Sequence, residues 1–95
     1  MAKLIQVDIV SATSAVWSGE AVQVSAKTEL GEIGILAGHE PVLAILAEGT
    51  VRVTTESGER IAVAAQAGFI SFDHDTLTIV APDAAIADAA DAVAH

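Results

Sequence analysis

Through the first eighty residues, apolar and polar side chains alternate with a period of two. Ile5, Val7 and Ile9 fall on one side of the chain, with Gln6 and Asp8 on the other. Val22, Val24 and Ala26 repeat the pattern against Gln23, Ser25 and Lys27. Val51 and Val53 alternate with Arg52 and Thr54, Ile61 and Val63 with Arg60, and Leu77 and Ile79 with Thr76 and Thr78. Successive side chains of a strand point to opposite faces, so each run predicts a strand with one face packed and one wet. An antiparallel sheet tolerates that arrangement, whereas a parallel one covers both faces. Ser18-Gly19, Leu30-Gly31, Glu48-Gly49 and Ser57-Gly58 supply turn residues between the runs. Glu56-Ser57-Gly58-Glu59 and Asp73-His74-Asp75 read as hairpin connections. Short strands at this spacing predict an all-β sandwich or barrel.

Only the tail changes period. Pro82 ends the last strand, Asp83 suits an N-cap, and Ile86, Ala90 and Val93 lie at i, i+4 and i+7. The spacing predicts a short alanine-rich helix within residues 83–95, marginal alone at about three turns. Its apolar face is too slight to mark it as a partner-binding element, so it is expected to dock on its own sandwich or to fray. The domain reading is therefore a β unit over 1–82 and a helical tail over 83–95.

Composition narrows the function. Ninety-five residues make one domain, and 53% hydrophobic residues exclude a disordered acidic tail. Four bases against thirteen acids leave a net charge of −9, which repels a phosphate backbone, so nucleic acid is not an expected partner. The absence of cysteine excludes disulfides and thiolate metal sites. The longest near-apolar stretch, Val42 to Ala47, falls far short of the roughly 20 residues of a membrane helix. Met1-Ala2-Lys3-Leu4 does not open a secretory signal. The expectation is a soluble, acidic, intracellular domain with no direct membrane insertion.

The charge is not spread evenly. Residues 29–48 hold Glu29, Glu32, Glu40 and Glu48 without a base, and residues 73–95 hold five aspartates without one. Elsewhere acids and bases balance.

Candidate chemistry is sparse. Asp73-His74-Asp75 has metal-ligating residue types, but neighbours in an extended chain diverge, and a polar hairpin tip is expected instead. The run Gly31 to His39 lacks the Gly-Lys-Ser/Thr ending of a phosphate loop, and its acid repels phosphate. His39 beside Glu40 has no nucleophile in a suitable context. Lys27 raises the alternative of a small acidic carrier domain modified at one lysine, although Ala26 and Thr28 are unlike the neighbours of a modified lysine. No catalytic residue, cofactor or metal is expected.

The stretch Gly31-Glu32-Ile33-Gly34-Ile35-Leu36-Ala37-Gly38-His39-Glu40-Pro41-Val42-Leu43 resembles the signature of the epsilon subunit of F-type ATP synthases, Gly-Glu-(Leu/Ile)-Gly-Ile-x-Pro-Gly-His-x-Pro-(Leu/Met)-(Leu/Val). Val7-Asp8-Ile9-Val10-Ser11, Val16-Trp17-Ser18-Gly19, Gly49-Thr50-Val51-Arg52-Val53, Gly68-Phe69 and Leu77-Thr78-Ile79-Val80-Ala81 resemble the family in order, over about residues 4–82. The resemblance implies an antiparallel β-sandwich of about ten short strands in two sheets. It further implies a non-catalytic part of the central stalk, binding the gamma subunit and the ring of c subunits during proton-driven ATP synthesis. Its place would be peripheral, on the cytoplasmic face of the bacterial plasma membrane.

Matched residue by residue, the resemblance points to Glu29, Glu32 and His39 as contacts to the c-ring. It points to Ser11, Pro41, Val42, Leu43 and Ala44 as contacts to gamma. Two departures stand out. Ala37 occupies the position of a usual proline, and the helical hairpin that follows the sandwich in most relatives is largely missing here. Inhibition through that hairpin, and ATP binding by it, are therefore not expected of these residues.

Overall fold

The computed structural model describes residues 3–87. Ten strands form among them: β1 (Ile5–Val10), β2 (Ala15–Ala21), β3 (Gln23–Thr28), β4 (Gly31–Leu36), β5 (Val42–Ile45), β6 (Gly49–Thr54), β7 (Arg60–Ala65), β8 (Phe69–Asp73), β9 (Thr76–Val80) and β10 (Ala85–Ala87). They make two five-stranded sheets, ordered β2-β1-β9-β8-β5 and β10-β7-β6-β3-β4. No helix among the described residues is long and apolar enough to cross a membrane.

The alternation read from the sequence faces inward as expected. Ile5, Val7 and Ile9 from β1 are fully buried, as are Val24, Val53, Val63, Leu77 and Ile79. Phe72 is the largest buried side chain, and the rest of the core is Val, Ile, Leu and Ala. Branched side chains standing on two pleated sheets interdigitate without polar atoms to satisfy.

Turn chemistry explains two hairpins. His74 and Asp75 have φ of 49° and 57° and connect β8 to β9 as the two central residues of a type I′ turn. That turn matches the twist of the strands it joins. Gly58, at φ 90°, closes the β6–β7 turn, where Thr55 N–H donates to the Glu59 carbonyl at 2.8 Å.

Three sequence expectations are corrected. Gly19 is not in a turn: it lies inside β2 opposite Val7, because Trp17 folds over it. A Cβ at Gly19 would stand 2.8 Å from the Trp17 ring, so this glycine makes room for an indole and does not turn the chain. The pairing is not antiparallel throughout, since β1 and β9 run parallel from Gln6↔Thr76 to Val10↔Val80. Finally, residues 85–87 are strand where the first turn of a helix was expected. β10 pairs Ile86 with Val63 of β7 and caps an edge that would otherwise leave its backbone groups open. Ordered sheet hydrogen bonds outcompete a marginal three-turn helix there. Residues 88–95 of the expected helix lie outside the described residues.

Strand directions assign the loops to two ends of the sandwich. One end gathers the β1–β2 connection, the β3–β4 turn, residues 46–48, residues 66–68 and Pro82–Ala84. The other gathers residues 37–41, the Thr55–Glu59 turn and the His74-Asp75 turn.

Candidate functional site

The first end is built around Thr28, the one buried polar residue among the described residues. Its hydroxyl donates to the Gly31 carbonyl at 2.7 Å and accepts the Leu30 N–H at 3.2 Å, which fixes the two-residue tip Glu29-Leu30. Gly31 completes the tip at φ 121°, a conformation that glycine adopts without a Cβ penalty. The tip is then tied across to the edge of the other sheet. Glu29 N–H donates to the Ile45 carbonyl at 3.0 Å, and Ala47 N–H donates to the Lys27 carbonyl at 2.9 Å.

These ties leave an open groove of about 570 Å³ between the tip and the edge strand β5, lined by Thr28, Glu29, Leu30, Leu43, Ala44, Ile45 and Phe69. Its apolar walls face solvent: Leu30 is 96% exposed, Leu43 78%, Ile45 56% and Phe69 49%. This cluster of exposed large apolar side chains beside an edge strand makes the groove the candidate interaction surface.

The second end carries the Gly-His motif. Leu36 C=O accepts the His39 N–H at 3.1 Å and Gly38 has φ 88°, which are the hydrogen bond and the third-position geometry of a type II turn. Ala37 occupies the second position, where proline is favoured, and Leu36 before it is in strand, as a residue preceding proline must be. Ala37→Pro is therefore expected to raise stability by about 0.5–1 kcal/mol by restricting the unfolded chain. Chemical denaturation that moves the midpoint at constant slope would check it. His39 is exposed, with Nδ1 2.7 Å from the Glu40 carbonyl oxygen and its ring edge-on to Phe72 at 6.1 Å between centroids.

The residues singled out from the sequence thus separate. Glu29, Leu43 and Ala44 meet at the groove. Glu32 sits opposite Lys27, one pair in from the tip, and both are exposed. His39 and Pro41 lie at the other end, beyond the length of β4, about 17 Å at the usual strand rise. Val42 is half-buried and pairs with Phe72. Ser11 shares the groove's end but stands at the close of β1, three strand positions from β5. Its hydroxyl donates to the Ser14 carbonyl at 3.1 Å.

Sequence reasoning missed Leu30, Ile45 and Phe69. One signal was available for Ile45: Val42 to Ala47 is apolar at every position, as in a strand covered on both faces. Within the single chain only one face of β5 is covered.

Among the described residues, the polar side-chain pairs are isolated surface contacts. The Ser18 hydroxyl donates to Asp8 Oδ1 at 2.7 Å on an exposed face. His74 Nδ1 lies 3.0 Å from Asp73 on an exposed turn, a pair of small energetic weight. Lys27 lies next to the end of β3, one pair in from the tip, with its stem against Gly49, and is not one of the two tip residues.

Comparison with known proteins identifies the family and the fold. The family described as ATP synthase, Delta/Epsilon chain, beta-sandwich domain matches residues 4–87. The ATP synthase epsilon chain of Micrococcus luteus is 50% identical over 86 residues, covering 90% of this chain and 94% of the relative. That of Streptomyces avermitilis is 44% identical over 92 residues, covering 97% of this chain and 74% of the relative. Among solved structures, a chain of the Euglena gracilis mitochondrial ATP synthase superposes with a TM-score of 0.83 at 22% identity, covering 96% of this chain and 60% of that one. A chain of the Tetrahymena thermophila mitochondrial ATP synthase central stalk and c-ring gives 0.67 at 17%, covering 86% and 66%. At those identities the structures speak to the fold, and the sequence relatives to descent. The chain belongs to the family of ATP synthase epsilon chains, with residues 4–87 matching its β-sandwich domain.

Proposed function

We propose that this chain works in the central stalk of an F-type ATP synthase as a non-catalytic coupling piece. It docks on the gamma subunit and stands on the membrane-embedded c-ring, so that the two turn as one body. As a subunit of an ATP synthase it is part of a membrane-bound complex, and the proposed position is the cytoplasmic face of a bacterial plasma membrane. The observation that carries this reading is the solvent-facing apolar groove at β5, bounded by the acidic tip of β3–β4.

The groove suits a protein partner. Leu43 and Ala44, already singled out as gamma contacts, lie in it, and Ile45 and Phe69 extend the same surface. Glu29 and Glu32, with Glu48 nearby, give the tip an acidic character suited to a basic loop of the ring. Pro41 and Val42 continue the β5 edge toward His39, while Ser11 occupies the same end as the tip. The proposed arrangement is therefore an apolar contact along β5 for gamma and a charged contact at the tip for the ring. Sizing chromatography of the chain with purified gamma tests it: co-elution at about one to one is expected, and two separate peaks would sink the reading.

Charge at the tip has its own test. An exposed ion pair contributes only about 0–1 kcal/mol, so Glu32 is expected to set orientation more than affinity. In membranes carrying the complex, Glu32→Lys is expected to lower ATP-driven proton pumping while ATP hydrolysis and gamma binding hold. Pumping equal to wild type would remove Glu32 from the ring contact.

A further inference from the structure

One hydrogen bond joins the two tight turns at the His39 end. Gly38 N–H donates to Asp75 Oδ1 at 2.8 Å, across thirty-seven positions of sequence. Gly38 is the third residue of the type II turn that follows β4, and Asp75 is the second central residue of the type I′ turn between β8 and β9. The middle amide of a tight turn points away from the turn's own hydrogen bond, so it needs an acceptor from elsewhere or water. Here the acceptor is a carboxylate, which makes a short, charge-assisted bond. Asp75 is itself held from behind, because its carbonyl accepts the Gln6 N–H at 2.9 Å. The latch thus runs from β1 through the β8–β9 turn to the loop that crosses from one sheet to the other.

The choice of residue is informative. The second central position of a type I′ turn favours glycine, since φ is positive there. Asp75 sits at φ 57° and forgoes that ease, while its side chain reaches the neighbouring loop. That loop also lacks the proline that would restrict it, having Ala37 at the second turn position. The ring of His39 leans on Phe72, which lies two residues before the same β8–β9 turn.

We infer that Asp75 is a positioning residue for partner binding: its carboxylate replaces proline stiffness and holds Gly38-His39-Glu40-Pro41 in the conformation that meets the stalk. The inference rests on the reading above that this loop borders the gamma contact. Asp75 touches no partner in this scheme and acts through Gly38.

Asp75→Gly separates positioning from folding, because glycine suits the turn and removes only the acceptor. Thermal stability is expected to stay at or above wild type, while exchange of the Gly38 amide accelerates about tenfold and the Kd for gamma rises about five- to tenfold. Asp75→Asn keeps an oxygen acceptor and tolerates positive φ, so it should hold both values within about twofold of wild type. Adding Ala37→Pro to Asp75→Gly should recover most of the lost affinity. Gly38 exchange unchanged in Asp75→Gly would overturn the latch, whatever the binding result. Faster exchange with wild-type affinity would overturn its role in binding. Failure of the wild-type chain to bind gamma would overturn the reading beneath it and the binding role with it, and Gly38 exchange would still decide the latch.

Discussion

Replacing Gly68 with alanine is expected to destabilise the sandwich by about 3 kcal/mol or more, a large part of the roughly 5–15 kcal/mol that holds a domain of this size. Gly68 has φ 136°, which side-chain-bearing residues rarely adopt. A Cβ there would also drive into the Val80 carbonyl oxygen and come within 2.8 Å of Ala81 Cα, both backbone atoms that cannot rotate away. Ala81 is fully buried and its N–H donates to the Val10 carbonyl at 3.0 Å, so yielding would disturb the parallel β1–β9 pair. The groove would suffer too, since the Gly68 carbonyl accepts the Leu46 N–H at 2.9 Å and Phe69 follows directly.

At about 4–8 °C per kcal/mol for a small domain, the melting temperature should fall by about 12 °C or more, read by Trp17 fluorescence. Gly31→Ala is the matched control. Its φ of 121° is equally unusual, but nothing lies within 4 Å of its Cβ position. It should cost only the backbone term, about 1–2 kcal/mol. Equal losses from the two variants would show that the close approach at Gly68 is unimportant.

Leu43→Asp is expected to leave folding intact and to weaken gamma binding about thirtyfold, the loss of a roughly 2 kcal/mol anchor. Leu43 is 78% exposed, so the isolated chain gives up little packing. Within the proposed interface the new carboxylate would be desolvated among Leu30, Ile45 and Phe69, with Glu29 close by as a like charge. Ile86→Asp controls for added charge, because Ile86 is also exposed and lies on β10, at the opposite edge of its sheet from β4. It should bind gamma as wild type does. Calorimetric titration of gamma would decide the matter, and Leu43→Asp binding at wild-type strength would remove the groove from the interface.

The inward faces of the strands were legible because side-chain alternation is a local rule. Ile5, Val7 and Ile9 must share a face in any strand, and burial follows from their chemistry. The His74-Asp75 and Ser57-Gly58 turns were legible for the same reason, since a tight turn is decided by its own few residues. Gly19 misled because its role depends on Trp17 lying over it, a contact that spacing does not encode. Ala85–Ala87 misled because helix propensity, strongest in alanine, is still a small term per residue, and an open edge on β7 outweighed it.

The candidate site divides along the same line. Glu32 and His39 of the motif both pointed to the c-ring, yet β4 holds them at opposite ends of the sandwich. The groove was legible only in part, through Glu29, Leu43 and Ala44, because Leu30 and Phe69 look like core residues until the strand order leaves β5 at an edge. Only the tertiary structure brings Gly38 to Asp75.

By itself, then, the sequence determined the class of fold, the faces of its strands, the tight turns and, through an ordered motif, the family. The tertiary structure decided which edges stay open, which distant turns touch, and that β1 pairs with a strand some seventy residues away. Alternation and turn preference are settled by neighbours in the chain. Edges and latches are settled by which sheets close on which, and that free energy belongs to the assembled core.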